Sequence, residues 1–253
     1  MSELVTGVLV FICLTATSLG CLFLHERMPS HLRDQRTHDV IKLAIGIVVV
    51  MTSLVLGLLI ASSKSSFDSV DRDVHSFATQ LILLDRQLKL YGPEAHPAHE
   101  LLTAYVEKAL AGTWPENGKP AVVEDKEAGR MLDKVGQTLR EIKPFDAAHA
   151  GYLEASLQRV RQVEELRWAM IAQSDKRVST PLIVALVGWL ALIFGSFGYN
   201  APRNPVVVVT LLLCTTSIAA AVYLILDMAT PFDGPLKVSP APLLRALAFM
   251  QQG

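Results

Sequence analysis

Four long runs without a formal charge decide what this chain can become: Leu4–Leu24, Leu43–Ser63, Val178–Tyr199 and Pro205–Leu226. Each is about 20 residues. As an α-helix rising ~1.5 Å per residue, such a run reaches ~30 Å, the depth of a bilayer's hydrocarbon core. Inside lipid every backbone amide must be bonded within its own segment, so these runs are read as transmembrane helices. Lys42 and Lys64 close the second run, Lys176-Arg177 precede the third, and Arg203 and Asp227 bracket the fourth. Gly20-Cys21 invites a lipoprotein reading of the first run. However, Met1-Ser2-Glu3 offers no cation and Ser18-Leu19 is a poor lead-in, so this run is expected to be retained as a span.

The charges that the spans lack are gathered elsewhere. Residues 64–177 hold 34 of the 47 Lys, Arg, Asp and Glu residues of the chain. A hydrophobic content of 51% excludes a disordered chain, and a net charge of −1 excludes a basic nucleic-acid binder. The expectation is a membrane protein, with the lipid bilayer as first partner and no nucleic acid, carrying one soluble domain. Cys13, Cys21 and Cys214 all lie in apolar runs and read as small packing residues.

The organisation read from the sequence is all-α: transmembrane helices 1 and 2 in residues 1–63, a helical bundle in 64–177, transmembrane helices 3 and 4 in 178–227, and a tail, 228–253, packing on the bundle. Within the insert, Phe67, Val70, Val74, Phe77, Leu81, Leu84 and Leu88 alternate steps of three and four, a heptad seam. Nothing between Lys64 and Tyr91 breaks a helix, so the second span is expected to run on until Gly92-Pro93. A short helix over 97–111, a turn over 114–120 and a helix presenting Met131, Leu132, Val135, Leu139 and Ile142 follow. The stretch 146–174 is a further amphipathic helix that could continue into the third span. Pro242 opens a last short helix with Leu243, Leu244 and Leu247.

Four spans put both termini and the insert on one side, with the loop 25–42 and the turn 200–204 on the other. Arg27, Arg33, Arg36, Lys42 and Arg203 lie on the loop side; Lys64, Arg72, Arg167, Lys176, Arg177 and Lys237 lie on the insert side. Such a balance gives the positive-inside rule no excess to act on, and charge leaves the orientation open.

The second span carries a stripe of small and polar residues. At ~100° per residue, Gly46, Ser53, Gly57 and Lys64 fall within about 40° of one another. Such a stripe packs helices closely or lines an aqueous path, and the residues alone favour packing. Weaker stripes, Thr6, Cys13, Thr17 and Gly20 in the first span and Thr210, Cys214, Ser217 and Ala221 in the fourth, read as packing. No ionisable residue lies deep within a span, which counts against a proton-coupled pump.

In the insert, Asp85-Arg86 and Tyr91 form the densest polar group. Each charge sits beside a seam position, where it calls for a partner on another helix or subunit; a structural ion pair leads over a sensing role. His96 and His99 flank Pro97 beside Glu100, and His25, His31 and His38 lie among charges. All are read as solvated loop residues, with no metal and no cofactor expected. No nucleophile, base and orienting group assemble, so the chain is not read as an enzyme.

Several stretches resemble the bestrophin-like family of four-span bacterial membrane proteins. They are Glu26-Arg27-Met28-Pro29-Ser30-His31-Leu32-Arg33 with Thr37, Leu56-Gly57-Leu58-Leu59-Ile60-Ala61 with Lys64 and Phe67-Asp68, Leu84-Asp85-Arg86 with Tyr91-Gly92-Pro93-Glu94-Ala95, and Pro231-Phe232 with Gly234, Val238-Ser239 and Pro242-Leu243. The resemblance implies an ion channel of the bacterial inner (plasma) membrane. Its partners would be inorganic ions and further copies of itself, a homo-oligomer with a pentamer favoured. The second span would line the pore, turning Gly46, Ser53, Gly57 and Lys64 inward, with the bundle and both termini cytoplasmic. Bestrophins carry aromatic rings in the pore neck and an acidic calcium clasp after the last span. This second span has no aromatic residue, and the tail has only Asp227 and Asp233. The alternative is a non-conducting sensor or scaffold whose bundle binds a ligand or partner.

Overall fold

A computed structural model describes residues 3–24, 35–115, 120–174 and 179–252. The described residues form helices and no strand: α1 (Glu3–Leu24), α2 (Gln35–Tyr91), a 3₁₀ turn (Pro93–Ala95), α3 (His96–Thr113), α4 (Lys126–Glu141), α5 (Ala147–Ser174), α6 (Thr180–Asn200), α7 (Pro205–Met228) and α8 (Ala241–Gln251). Four of these helices, α1, α2, α6 and α7, are long and apolar enough to cross a membrane. The chain divides into two compact units, Met1–Ser65 with Arg177–Ala229, and Ser66–Lys176 with Thr230–Gly253.

In the first unit α1 packs along both α6 and α7. Leu14 of α1 and Leu186 of α6 are fully buried there, with Val222 of α7 beside them in the same cluster. The approach of α1 to α6 is close enough that a methyl group at Gly198 would sit on the Ser18 carbonyl. Small residues at such contacts are what let helices approach in lipid, where burial of apolar surface gives no driving force. Thr15 and Thr215 join α1 to α7 through their hydroxyls at 3.2 Å. Arg203, in the turn before α7, donates to the Phe23 carbonyl at 2.8 Å, a cation placed on the free carbonyls at the end of α1.

The second unit is built on the seam. Val70, Val74, Phe77, Leu81, Leu84 and Leu88 are each at most 2% exposed. Around them pack Leu102, Tyr105 and Val106 of α3, Leu132, Val135 and Leu139 of α4, and Val160 and Val163 of α5. The segment after α7 supplies Phe232, Val238, Leu243, Ala246 and Met250 to the same core. The Trp114 indole donates to the Val238 carbonyl at 2.8 Å, and the Ala121 amide to the Asp233 carboxylate at 3.0 Å. Asp125 caps α4 by accepting from the amides of Glu127 and Ala128.

One boundary differs from the sequence reading. The helix of the second span begins at Gln35, so Lys42 is helical rather than part of a loop; the polar residues before Leu43 extend a helix whose apolar part needs no break there. Residues 25–34, including His25, His31 and most of the first family stretch, lie outside the described residues, as does 175–178, where the sequence leaves open whether α5 continues into α6. Ser179 precedes α6 as its N-terminal flanking residue and Pro181 lies in its first turn, as suits a helix start.

Candidate functional site

Two features of α2 bear on the sequence expectations. The first is the stripe. Gly46, Ser53, Gly57 and Lys64 are all exposed, and a methyl group added at Gly46 or Gly57 would touch nothing. The apolar window of α2 is 6% buried, against 22% in α1 and α7 and 28% in α6. The span carrying the stripe is thus the one that its own chain covers least. Its contacts run through Val55, Leu56 and Leu59, and Thr52 is buried beside them.

The second feature is the polar group at the other end of α2. Asp85 is fully buried, and a lysine and a histidine side chain approach it. Lys89, one turn on, places Nζ 3.1 Å from Oδ2; His99 of α3 places Nε2 2.7 Å from Oδ1. Both are close polar approaches rather than aligned hydrogen bonds. Lys89 also donates to the Met250 carbonyl of α8 at 3.3 Å and lies over the Phe249 ring. One buried carboxylate therefore ties α2 to α3 directly and to α8 through Lys89. A charge withdrawn from water in this way is tolerated because partners face it at short range, where the low dielectric strengthens attraction.

Arg86 is exposed and does not join this cluster, since its position, ~100° from Asp85, turns it to the outside. Tyr91 is buried, and its ring meets the edge of His149 at 5.3 Å between centroids. His149 in turn contacts Asp146 at 2.7 Å. The Asp146 carboxyl lies below its usual range, first because the His149 amide donates to it and then because the imidazole does. Glu164 of α5 is raised by partial burial and by Asp133 nearby.

His99 is the residue that the sequence reading missed. Read as a solvated loop histidine, it lies on α3 with a side chain 19% exposed and Asp85 as its partner. A signal was present: His99, Leu102 and Val106 share a helical face, and the latter two are core. His96 is exposed and pairs with Glu100 at 3.4 Å. Among the described residues no three His, Cys, Asp or Glu side chains converge as a metal site.

Four candidate membrane helices with a helical bundle between the second and third define a class of membrane protein, and comparisons narrow it. The Bestrophin-like domain matches residues 12–243. This chain belongs to the Bestrophin-like family. Among solved structures it is similar to a bacterial bestrophin homologue from Klebsiella pneumoniae. One variant matches at 13% identity over 100% of this chain and 98% of that one, with a TM-score of 0.72. A second variant matches at 12% identity over 97% of each chain, with a TM-score of 0.70. At that identity the likeness shows the fold. No curated protein matches the sequence.

Proposed function

We propose that the chain is the subunit of an oligomeric ion channel of the bestrophin type, with α2 lining the conducting path. One observation carries this reading: the small and polar stripe of α2 is exposed on the span least covered by its own chain. A helix so bare must be covered by lipid or by further copies. Gly46, Ser53 and Gly57 are poor lipid-facing choices beside the Leu, Ile and Val that fill the rest of the span. Turned to a shared axis, they leave room for hydrated ions, and Lys64 places a ring of positive charge where the path leaves the apolar zone. Family membership supports the same reading, with a pentamer in a bacterial inner membrane and the bundle and both termini on the cytoplasmic side.

The test is flux in liposomes from purified oligomer. Gly57→Leu should remove most of the ion flux while the oligomer keeps its mass; undiminished flux through well-folded Gly57→Leu protein rejects α2 as the lining. Lys64→Glu should move the reversal potential toward cation preference. An unmoved potential rejects the electrostatic role of Lys64.

A further inference from the structure

The second unit holds a cavity of about 30 Å³ where α2, α3, the start of α4, α5 and the C-terminal segment meet. A space of that size admits a water or one small ion. Phe77, Met170 and Leu243 give it apolar walls, while Tyr105, Thr113, Asp125 and Arg167 bring polar groups to it. Val122, half exposed, also lines it and gives a way in from solvent.

Donors outnumber acceptors among these groups. Tyr105 is 1% exposed, and burial raises its pKa, so the phenol keeps its proton and remains a donor. Its hydroxyl makes no hydrogen bond among the described residues. Arg167 gives one N–H to the Asp125 carbonyl at 2.9 Å, and among the described residues no carboxylate lies within ion-pair distance of its guanidinium. Gly129 makes room for that group, since a Cβ there would stand 3.1 Å from it. The carboxylate in the wall is already engaged. One oxygen of Asp125 accepts from the amides of Glu127 and Ala128, and the other faces Lys108 Nζ at 4.0 Å. Glu164, whose charge bears on the Tyr105 phenol, is not among the walls.

We propose that this cavity binds one small monovalent anion, of the size of chloride, held by the Arg167 guanidinium and the Tyr105 hydroxyl. A water accepts from both donors but must then place its own hydrogens. Thr113 offers an acceptor for one, and the other is left against Phe77, Met170 or Leu243, an unfavourable burial. An anion only accepts, and it neutralises a guanidinium partly withdrawn from solvent. The inference stands apart from the channel reading, because every contributing residue belongs to the bundle unit. Bound there, the ion ties α3 to α5 beside the C-terminal segment, so the bundle gains stability as the anion concentration rises.

The test uses the purified full chain in detergent at fixed ionic strength, with gluconate, too large for the cavity, replaced stepwise by chloride or bromide. The unfolding temperature should rise and saturate, by about 3–6 °C once the halide exceeds its Kd about tenfold. Tyr105→Phe fills the same space and removes only the hydroxyl. In gluconate it should be at least as stable as the parent, since an unpaired buried hydroxyl is gone, and it should lose most of the halide response. Arg167→Lys keeps the charge without the planar fork and should shift the halide midpoint to higher concentration. Crystals grown in bromide should show an anomalous peak beside Arg167 and Tyr105. A halide response undiminished in Tyr105→Phe assigns the ion to another site and overturns the proposal. A rise that never saturates, or a cavity without bromide, overturns it equally and makes the occupant water.

Discussion

The two halves of α2 are covered in opposite ways. From Val70 to Leu88 the seam residues are almost wholly enclosed by α3, α4, α5 and the C-terminal segment, whereas the apolar window nearer the start is 6% buried. In water a heptad stripe must be enclosed, because burying apolar surface is what stabilises the fold. In a bilayer the same surface is at ease in lipid, so packing there follows shape and polar contact instead. Burial in a single chain is therefore a measure of completeness for the bundle. For the span it marks what other molecules must cover.

The largest expected effect tests the bundle end of this contrast. Asp85→Ala leaves Lys89 and His99 without the charge that they face, and should cost about 3–5 kcal/mol, since breaking a buried pair strands its partners. Its readout is the unfolding midpoint in detergent, and an unchanged midpoint with intact assembly would remove the structural role of Asp85. Next, Leu81→Ala should destabilise the bundle by about 2–5 kcal/mol, while Leu54→Ala in the span should change bundle unfolding by no more than about 0.5 kcal/mol. Equal losses from the two would erase the distinction between the halves. Gly198→Ala probes packing by shape within the membrane: the added methyl meets the Ser18 backbone, and about 1–3 kcal/mol of overpacking should appear as lost heat stability of the membrane unit.

The smallest effect is titrational. Because the Asp146 carboxyl is lowered by the His149 amide and ring, its support for the fold is complete above about pH 4 and is lost as pH falls through the lowered value. Asp146→Ala should therefore lower the unfolding temperature at neutral pH, and the gap from the parent protein should close in strong acid. A gap that persists at the lowest pH would assign the loss to something other than this charge.

What was legible in the sequence follows the same division. Four spans announce themselves by the absence of charge, and the seam by its spacing, because both are local patterns of one helix. The run of α2 through Lys64 was legible because nothing there breaks a helix. The start at Gln35 was not, since polar residues suit a helix end and a loop alike. Asp85 could be recognised as needing a partner, but His99 could not be chosen for it. The chain reverses at Gly92, whose φ of 110° favours glycine, and only that reversal brings α3 back along α2.

The segment from Phe232 to Met250 has a consequence for biogenesis. It contributes core residues to a bundle whose first seam residues, Phe67 and Val70, are synthesised far earlier. Between them the ribosome must make α6 and α7, both of which have to enter the membrane. The nascent bundle accordingly waits with an uncovered apolar face, Trp114 lacking the Val238 carbonyl, while two helices are being inserted. Completion of its core is a late event coupled to membrane insertion. An intermediate stalled before residue 230 is expected to leave that apolar face open to chaperones and proteases.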